Sequence, residues 1–201
     1  MQHPDGRYLL GSEVLRLAFD FYDRLDVRVL REPTLERLRH ELNETVHLGV
    51  LDDAEVVYVD KLEPSRPIAL TSKVGGRNPA HSTAIGKALL AWTYATPEAI
   101  EAWVATSGPL VRRTPRTIVE PRTLAREMAR IRSDGFSKDM EESEIGVRCV
   151  AAPVLFGAAP PVAAISVSAP KERLPAARLR DVATVLRRET MLASHRGTAV
   201  S

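Results

Sequence analysis

The stretch from Gly135 to Pro170, GFSKDMEESEIGVRCVAAPVLFGAAPPVAAISVSAP, limits the possible folds more than any other part of the chain. Two short apolar runs flank a turn rich in Gly and Pro. One is led in by Gly146-Val147-Arg148-Cys149, and the other ends Ser166-Val167-Ser168. Short apolar runs bounded by turn signals read as strands, here over 147–156 and 161–168, with a third at 135–140 before an acidic turn. Side chains alternate along a strand, so Ile165 and Val167 face helices while Ser166 and Ser168 share the other face. Two hydroxyls on one face of an apolar strand leave two readings. They bond local backbone near the strand end, or they stand as donors for a carboxylate or hydroxyl of a ligand.

The rest of the chain supplies the partners of that sheet. Asp5-Gly6 before Arg7-Tyr8-Leu9-Leu10 is a hairpin signal. Ser12 can cap a helix whose stripe is Leu15, Leu17, Ala18, Phe21, Tyr22 and Leu25. Phe21 and Tyr22 pack on their own domain or on a second subunit. A second helical pattern runs to about Asn43, and Pro33 is expected to kink or restart it. From Thr45 the period becomes two, with Val46, Leu48 and Val50 alternating with His47 and Gly49. Asp52-Asp53 makes a turn, Val56–Leu62 returns, and Pro67–Val74 reads as a third strand ending at Gly75-Gly76. Helices follow over His81–Tyr94, Pro97–Val104 and Pro121–Ser133, and a closing helix runs over 171–194. Strands with helices interposed give an α+β fold, one antiparallel sheet covered by helices.

Composition narrows the function. The chain has 201 residues, is 44% hydrophobic and 27% charged, and carries a net charge of +2. That suits one domain with a sizeable core plus an appendage, and it is not the charge of a DNA-wrapping protein. One cysteine, Cys149, excludes an internal disulfide and a Cys-based zinc cluster. No basic and apolar leader opens the chain, and no run is long enough to span a membrane, so a cytoplasmic location is expected.

Three places could carry chemistry. Ser82-Thr83-Ala84-Ile85 opens a helix whose first-turn amides lack intrahelical acceptors and favour an anion. Simple capping by Ser82 or Thr83 is the plainer reading. Gly86-Lys87 does not make a phosphate loop, because His81 stands where Gly is needed and Ala88 where Ser or Thr is; close helix–sheet packing explains Gly86. In the acidic run Asp139, Glu141, Glu142 and Glu144, most of which reads as a solvated turn, Asp139 falls at a strand end where it can accept from a ligand hydroxyl. Cys149, on the neighbouring strand, reaches the serine face, and free Cys is usually a small buried hydrophobe. His47, His81 and Asp139 stand at no spacing that marks a metal site. No metal or cofactor is expected.

Read together, Tyr8-Leu9-Leu10-Gly11, Glu44-Thr45-Val46-His47-Leu48, Ser82–Ala91 and Gly135–Pro170 resemble, in order and spacing, the effector-binding domain of IclR-type bacterial transcriptional regulators. The resemblance covers nearly the whole chain. It implies a GAF/PAS-like antiparallel sheet of about six strands flanked by helices. It makes residues 1–11 the end of a winged helix-turn-helix, 12–25 a linker helix, and 26–201 the effector-binding domain. DNA would be read only by an N-terminal domain that these residues lack, in a homodimer or homotetramer. The effector would be a small organic acid and the chain no enzyme. Carried over by motif, the effector-binding positions are Ala84, Ile85, Asp139, Cys149, Ser166 and Ser168, with Leu70 and Val74 as apolar walls. No Arg or Lys stands among them, so recognition by amides and hydroxyls rather than by a salt bridge is expected. The alternative is a small hydrolase or transferase using Cys149 or Ser166, for which the sequence places no base.

Overall fold

A computed structural model describes residues 11, 13–14, 16–17, 27–66 and 70–197, without the side chains of 27–32 and 195–197. The expected hairpin before Gly11, and Phe21 and Tyr22, lie outside the described residues. Of the expected 12–25 helix, Glu13, Val14, Arg16 and Leu17 are described, and they are helical.

Six strands form one antiparallel sheet: β1 (Thr45–Asp52), β2 (Glu55–Leu62), β3 (Arg77–Pro79), β4 (Ser137–Met140), β5 (Val147–Val154) and β6 (Ala163–Pro170). Their spatial order is β3-β2-β1-β6-β5-β4, so the last strand in sequence is central. From Val27 onward five α-helices are described: α1 (Val27–Leu42), α2 (Ala84–Thr93), α3 (Pro97–Ser107), α4 (Pro121–Asp134) and α5 (Leu179–Gly197). The α+β class expected from the sequence is the class observed. Among the described residues no helix is long and apolar enough to cross a membrane.

The alternation in the strands decides what covers each face. Val46, Leu48, Val150, Ala152, Ile165 and Val167 point to one face, where Leu35 and Leu38 of α1 and Val182 and Leu186 of α5 complete the core. On the other face Ala151 and Ala164 meet Ile85 and Leu89 of α2, with Leu124 and Met128 of α4 behind. Small residues let α2 sit close. A Cβ on Gly49 of β1 would come within 3.1 Å of Ile85. Residues Ala84–Ala91 of α2 are all buried, as expected of a helix held between a sheet and a further helix layer.

Three elements differ from the sequence reading. The helix α1 runs through Pro33 without a break. Proline removes only one backbone donor, and Leu35, Leu38 and Leu42 anchor the helix beyond it. The third strand is not Pro67–Val74. Residues 70–76 are irregular, with Gly75 at φ 79°, and the strand is Arg77–Pro79. The carbonyls of Leu70 and Ser72 accept from Lys61 Nζ at 2.7 and 2.8 Å, which turns that segment away from a ladder. The closing helix begins at Leu179, after a short 3-10 turn that follows Pro175.

Gly86 shows the tightest approach in the fold. A Cβ there would lie 2.2 Å from the Ala80 carbonyl oxygen, and the obstacle is loop backbone rather than the sheet. Backbone cannot rotate aside as a side chain can. Gly86→Ala is therefore expected to destabilise the protein by at least ~1–3 kcal/mol in chemical denaturation. An unchanged midpoint would contradict this packing.

Candidate functional site

Pairing of β6 with both neighbours lines up polar groups that lie far apart in sequence. Asp139 is opposite Cys149, Cys149 opposite Ser168, and Ser168 opposite Thr45. One step along, Ser137, Ala151, Ser166 and His47 form a second row. Both rows lie on the face that α2 covers, and α2 stops short of covering them. At its N-terminus a cavity of about 80 Å³ remains, walled by Ala84, Ile85, Asp139, Cys149, Ser166 and Ser168. One water needs ~10–15 Å³ of such space, so the cavity has room for a compact organic molecule.

Seven of the eight positions singled out in the sequence line this cavity, Leu70 being the seventh. Val74 does not; it is exposed on the turn before Gly75. The cap of α2 is Thr83, whose hydroxyl accepts from Gly86 N–H at 3.1 Å. This leaves the Ala84 and Ile85 amides in the first turn, where the helix provides no acceptor. Ser137 Oγ donates to the Ala84 carbonyl at 2.5 Å and so joins β4 to that turn.

The sequence reading missed other groups at the cavity. His47 and Tyr58 stand on its wall with ring centroids 4.9 Å apart. His47 Nε2 is 2.7 Å from Ser72 Oγ, and Asn78 Nδ2 donates to Tyr58 OH at 3.4 Å. Arg113, from the loop between α3 and α4, also lines the cavity. Its side chain has no hydrogen bond or ion pair among the described residues. The sequence argument against a salt bridge loses its premise, since a guanidinium is present.

A buried charge network holds that loop and the acidic turn in place. Lys87, on α2, is fully buried and 2.5 Å from Glu142 Oε1. The Glu142 N–H donates to Asp139 Oδ1 at 2.7 Å, and its carbonyl accepts from Thr117 Oγ1 at 2.7 Å. Thr114 Oγ1 donates to the Glu141 carbonyl at 2.7 Å. The turn is therefore only partly solvated: Glu141 and Glu142 are buried, while Glu144 and Ile145 are exposed.

Burial sets the protonation states. Desolvation, and then the Lys61 charge, lower the His47 pKa to about 3, so the ring is neutral. Desolvation raises Asp139 to about 7, against the pull of Lys87 and the Glu142 N–H. Burial and the Asp139 charge push the Cys149 thiol up, which keeps it protonated and unreactive. His47 is opposite Ser166 in register, yet its Nε2 engages Ser72 and its basicity is low, so His47 does not serve the serine as a general base. Among the described residues no cluster of His, Cys, Asp or Glu could hold a metal ion.

Comparison with known proteins places this geometry. The family model for the IclR C-terminal region of bacterial transcriptional regulators matches residues 19–194. The chain is 34% identical over 181 residues to the HTH-type transcriptional regulator XynR of Escherichia coli K12, covering 89% of this chain and 70% of that protein. Across five curated relatives, all named as regulators or repressors and none as an enzyme, the aligned stretch spans 54–70% of their length. A solved regulator from Rhodococcus sp. RHA1 superposes with a TM-score of 0.84 at 29% identity, over 96% of this chain and 78% of that one. An IclR homologue from Microbacterium hydrocarbonoxydans, solved with 4-hydroxybenzoate, gives 0.81 at 27% identity, over 100% of this chain and 79% of that one.

The Asp139 carboxyl leads to a pH test. The folded group keeps its proton up to about pH 7, while the unfolded one releases it near 3.8. The native state binds more protons in between, so this group's contribution to stability is lost as pH rises across that window. The stability of the wild type relative to Asp139→Asn is expected to fall between about pH 4 and pH 7 and then level off, read by denaturation at each pH. A difference that is flat with pH would contradict a buried, proton-holding Asp139.

Proposed function

The chain belongs to the IclR family of bacterial transcriptional regulators, as its C-terminal domain, and from that premise we propose that the cavity at the α2 N-terminus is its effector site. The effector is a small organic acid. Its binding modulates DNA binding by a helix-turn-helix domain of the full-length protein, which acts as a homodimer or homotetramer.

The observation that carries this reading is the convergence of two kinds of anion-accepting group on one cavity. The first is the pair of first-turn amides of Ala84 and Ile85, backed by the helix dipole. The second is the pair of hydroxyls of Ser166 and Ser168 on β6, both buried on the covered face. Ser166 Oγ lines the cavity and makes no hydrogen bond among the described residues, which leaves it free to meet a ligand oxygen. Relatives supply a consistent chemistry. One structural neighbour is solved with 4-hydroxybenzoate and another with 3-hydroxybenzoic acid.

A thermal-shift screen of small acids, from glyoxylate and pyruvate to hydroxybenzoates and sugar acids, tests the reading at the level of ligand class. Replacing Ser166 and Ser168 together with Ala is expected to weaken binding of the acid found by roughly 1–3 kcal/mol in calorimetry, with the fold retained. Unchanged affinity in a folded double variant would remove the serines from the site.

A further inference from the structure

We propose that the cavity selects a compact polyhydroxylated carboxylate, with Arg113 reading its charge and the neutral polar wall reading its hydroxyls. This rests on the cavity being the effector site and narrows what that site takes.

The first argument is the chemistry of the wall. Most residues lining the cavity carry a hydrogen-bonding side chain, and Leu70, Ala84, Ile85 and Val147 are its apolar ones. Its two rings, His47 and Tyr58, pack against each other. A flat aromatic acid would bury this wall under carbon, and each polar group left unbonded costs ~1–3 kcal/mol. A chain of hydroxyls satisfies the same groups. Two buried or half-buried groups have bonding capacity to spare: the Ser166 hydroxyl makes no hydrogen bond among the described residues, and Tyr58 OH has only the long contact from Asn78.

The second argument is the balance of charge. Arg113 is the one arginine on the wall, and its guanidinium is unpaired among the described residues. Its neighbours in the fold Arg116 and Arg148 are engaged on Glu141, whereas Arg113 faces the cavity. The backbone at Arg113 is held in place, with the side chain exposed at the cavity rim. Its backbone N–H donates to Thr117 Oγ1 at 3.0 Å, and Thr114 and Thr117 tie the loop to the Glu141 and Glu142 carbonyls. A guanidinium on an anchored loop is suited to forked recognition of a carboxylate. Two acidic side chains share the cavity, Asp139 and Glu144. A ligand hydroxyl both donates and accepts, so it can pair with the Asp139 carboxyl in either protonation state, and Asp139 Oδ1 is already positioned by the Glu142 N–H.

Calorimetry on the protein tests this with four-, five- and six-carbon aldonates (erythronate, arabinonate, gluconate), the neutral alditol glucitol, and 4-hydroxybenzoate. At least one aldonate is expected to bind about tenfold or more tighter than 4-hydroxybenzoate, and glucitol not measurably. Arg113→Gln is expected to weaken that aldonate about tenfold or more, with circular dichroism unchanged. Arg113→Lys falls between, and Arg112→Gln, one residue away and not on the wall, matches the wild type. Tightest binding by 4-hydroxybenzoate, or an Arg113→Gln protein with wild-type affinity for the acid, overturns the inference and leaves the effector site standing. Failure of every acid to bind overturns both.

Discussion

The register of β6 between β1 and β5 is the constraint on which the site depends. It sets Ser168 between Cys149 and Thr45, and Ser166 between Ala151 and His47. A slip of one residue would send Ser166 and Ser168 to the α1–α5 face and bring Ile165 and Val167 under α2. That slip is resisted because Val46, Leu48, Val150, Ala152, Ile165 and Val167 form the core on the opposite face. Hydrophobic burial on one side of the sheet thus positions the hydroxyls on the other. The small residues Gly49, Ala151 and Ala164 then let α2 lie close and bring its first turn to the edge of the polar rows.

Glu142 joins the parts that the sheet does not hold. Its side chain meets Lys87 of α2, its N–H meets Asp139 of β4, and its carbonyl meets Thr117 of the loop that carries Arg113. Burying a lysine and a carboxylate together is costly, and such a pair adds little net stability compared with apolar residues. Desolvation raises the Glu142 pKa despite Lys87, which is the mark of that cost. What the pair contributes is position: helix, turn and loop have one arrangement around the cavity.

Much of the fold was legible because period-two alternation and helix starts are local signals. Val46, Leu48 and Val50 against His47 and Gly49, and Ile165 and Val167 against Ser166 and Ser168, set the faces directly. Ala84 and Ile85 followed from a helix start, and Asp139 from a strand end. Local signals also misled. Pro67–Val74 looked like a strand, but the Lys61 ammonium holds its carbonyls and Gly75 turns the chain. The groups missed at the site act through long-range partners. Lys87 reads as an ordinary helical lysine until Glu142, 55 positions away, is brought to it. Arg113 sits in a run of surface-like basic residues, and only the Thr114 and Thr117 tethers bring it to the cavity.

The central claim is that ligand binds on the polar face of the sheet, at the first turn of α2. Amide hydrogen exchange with and without a bound acid tests it most directly. The account predicts slowed exchange at residues 84–86, 139–144 and 166–168, with α1 and α5 unaffected. Slowing confined to α1 and α5, or none at the first turn of α2, would contradict it.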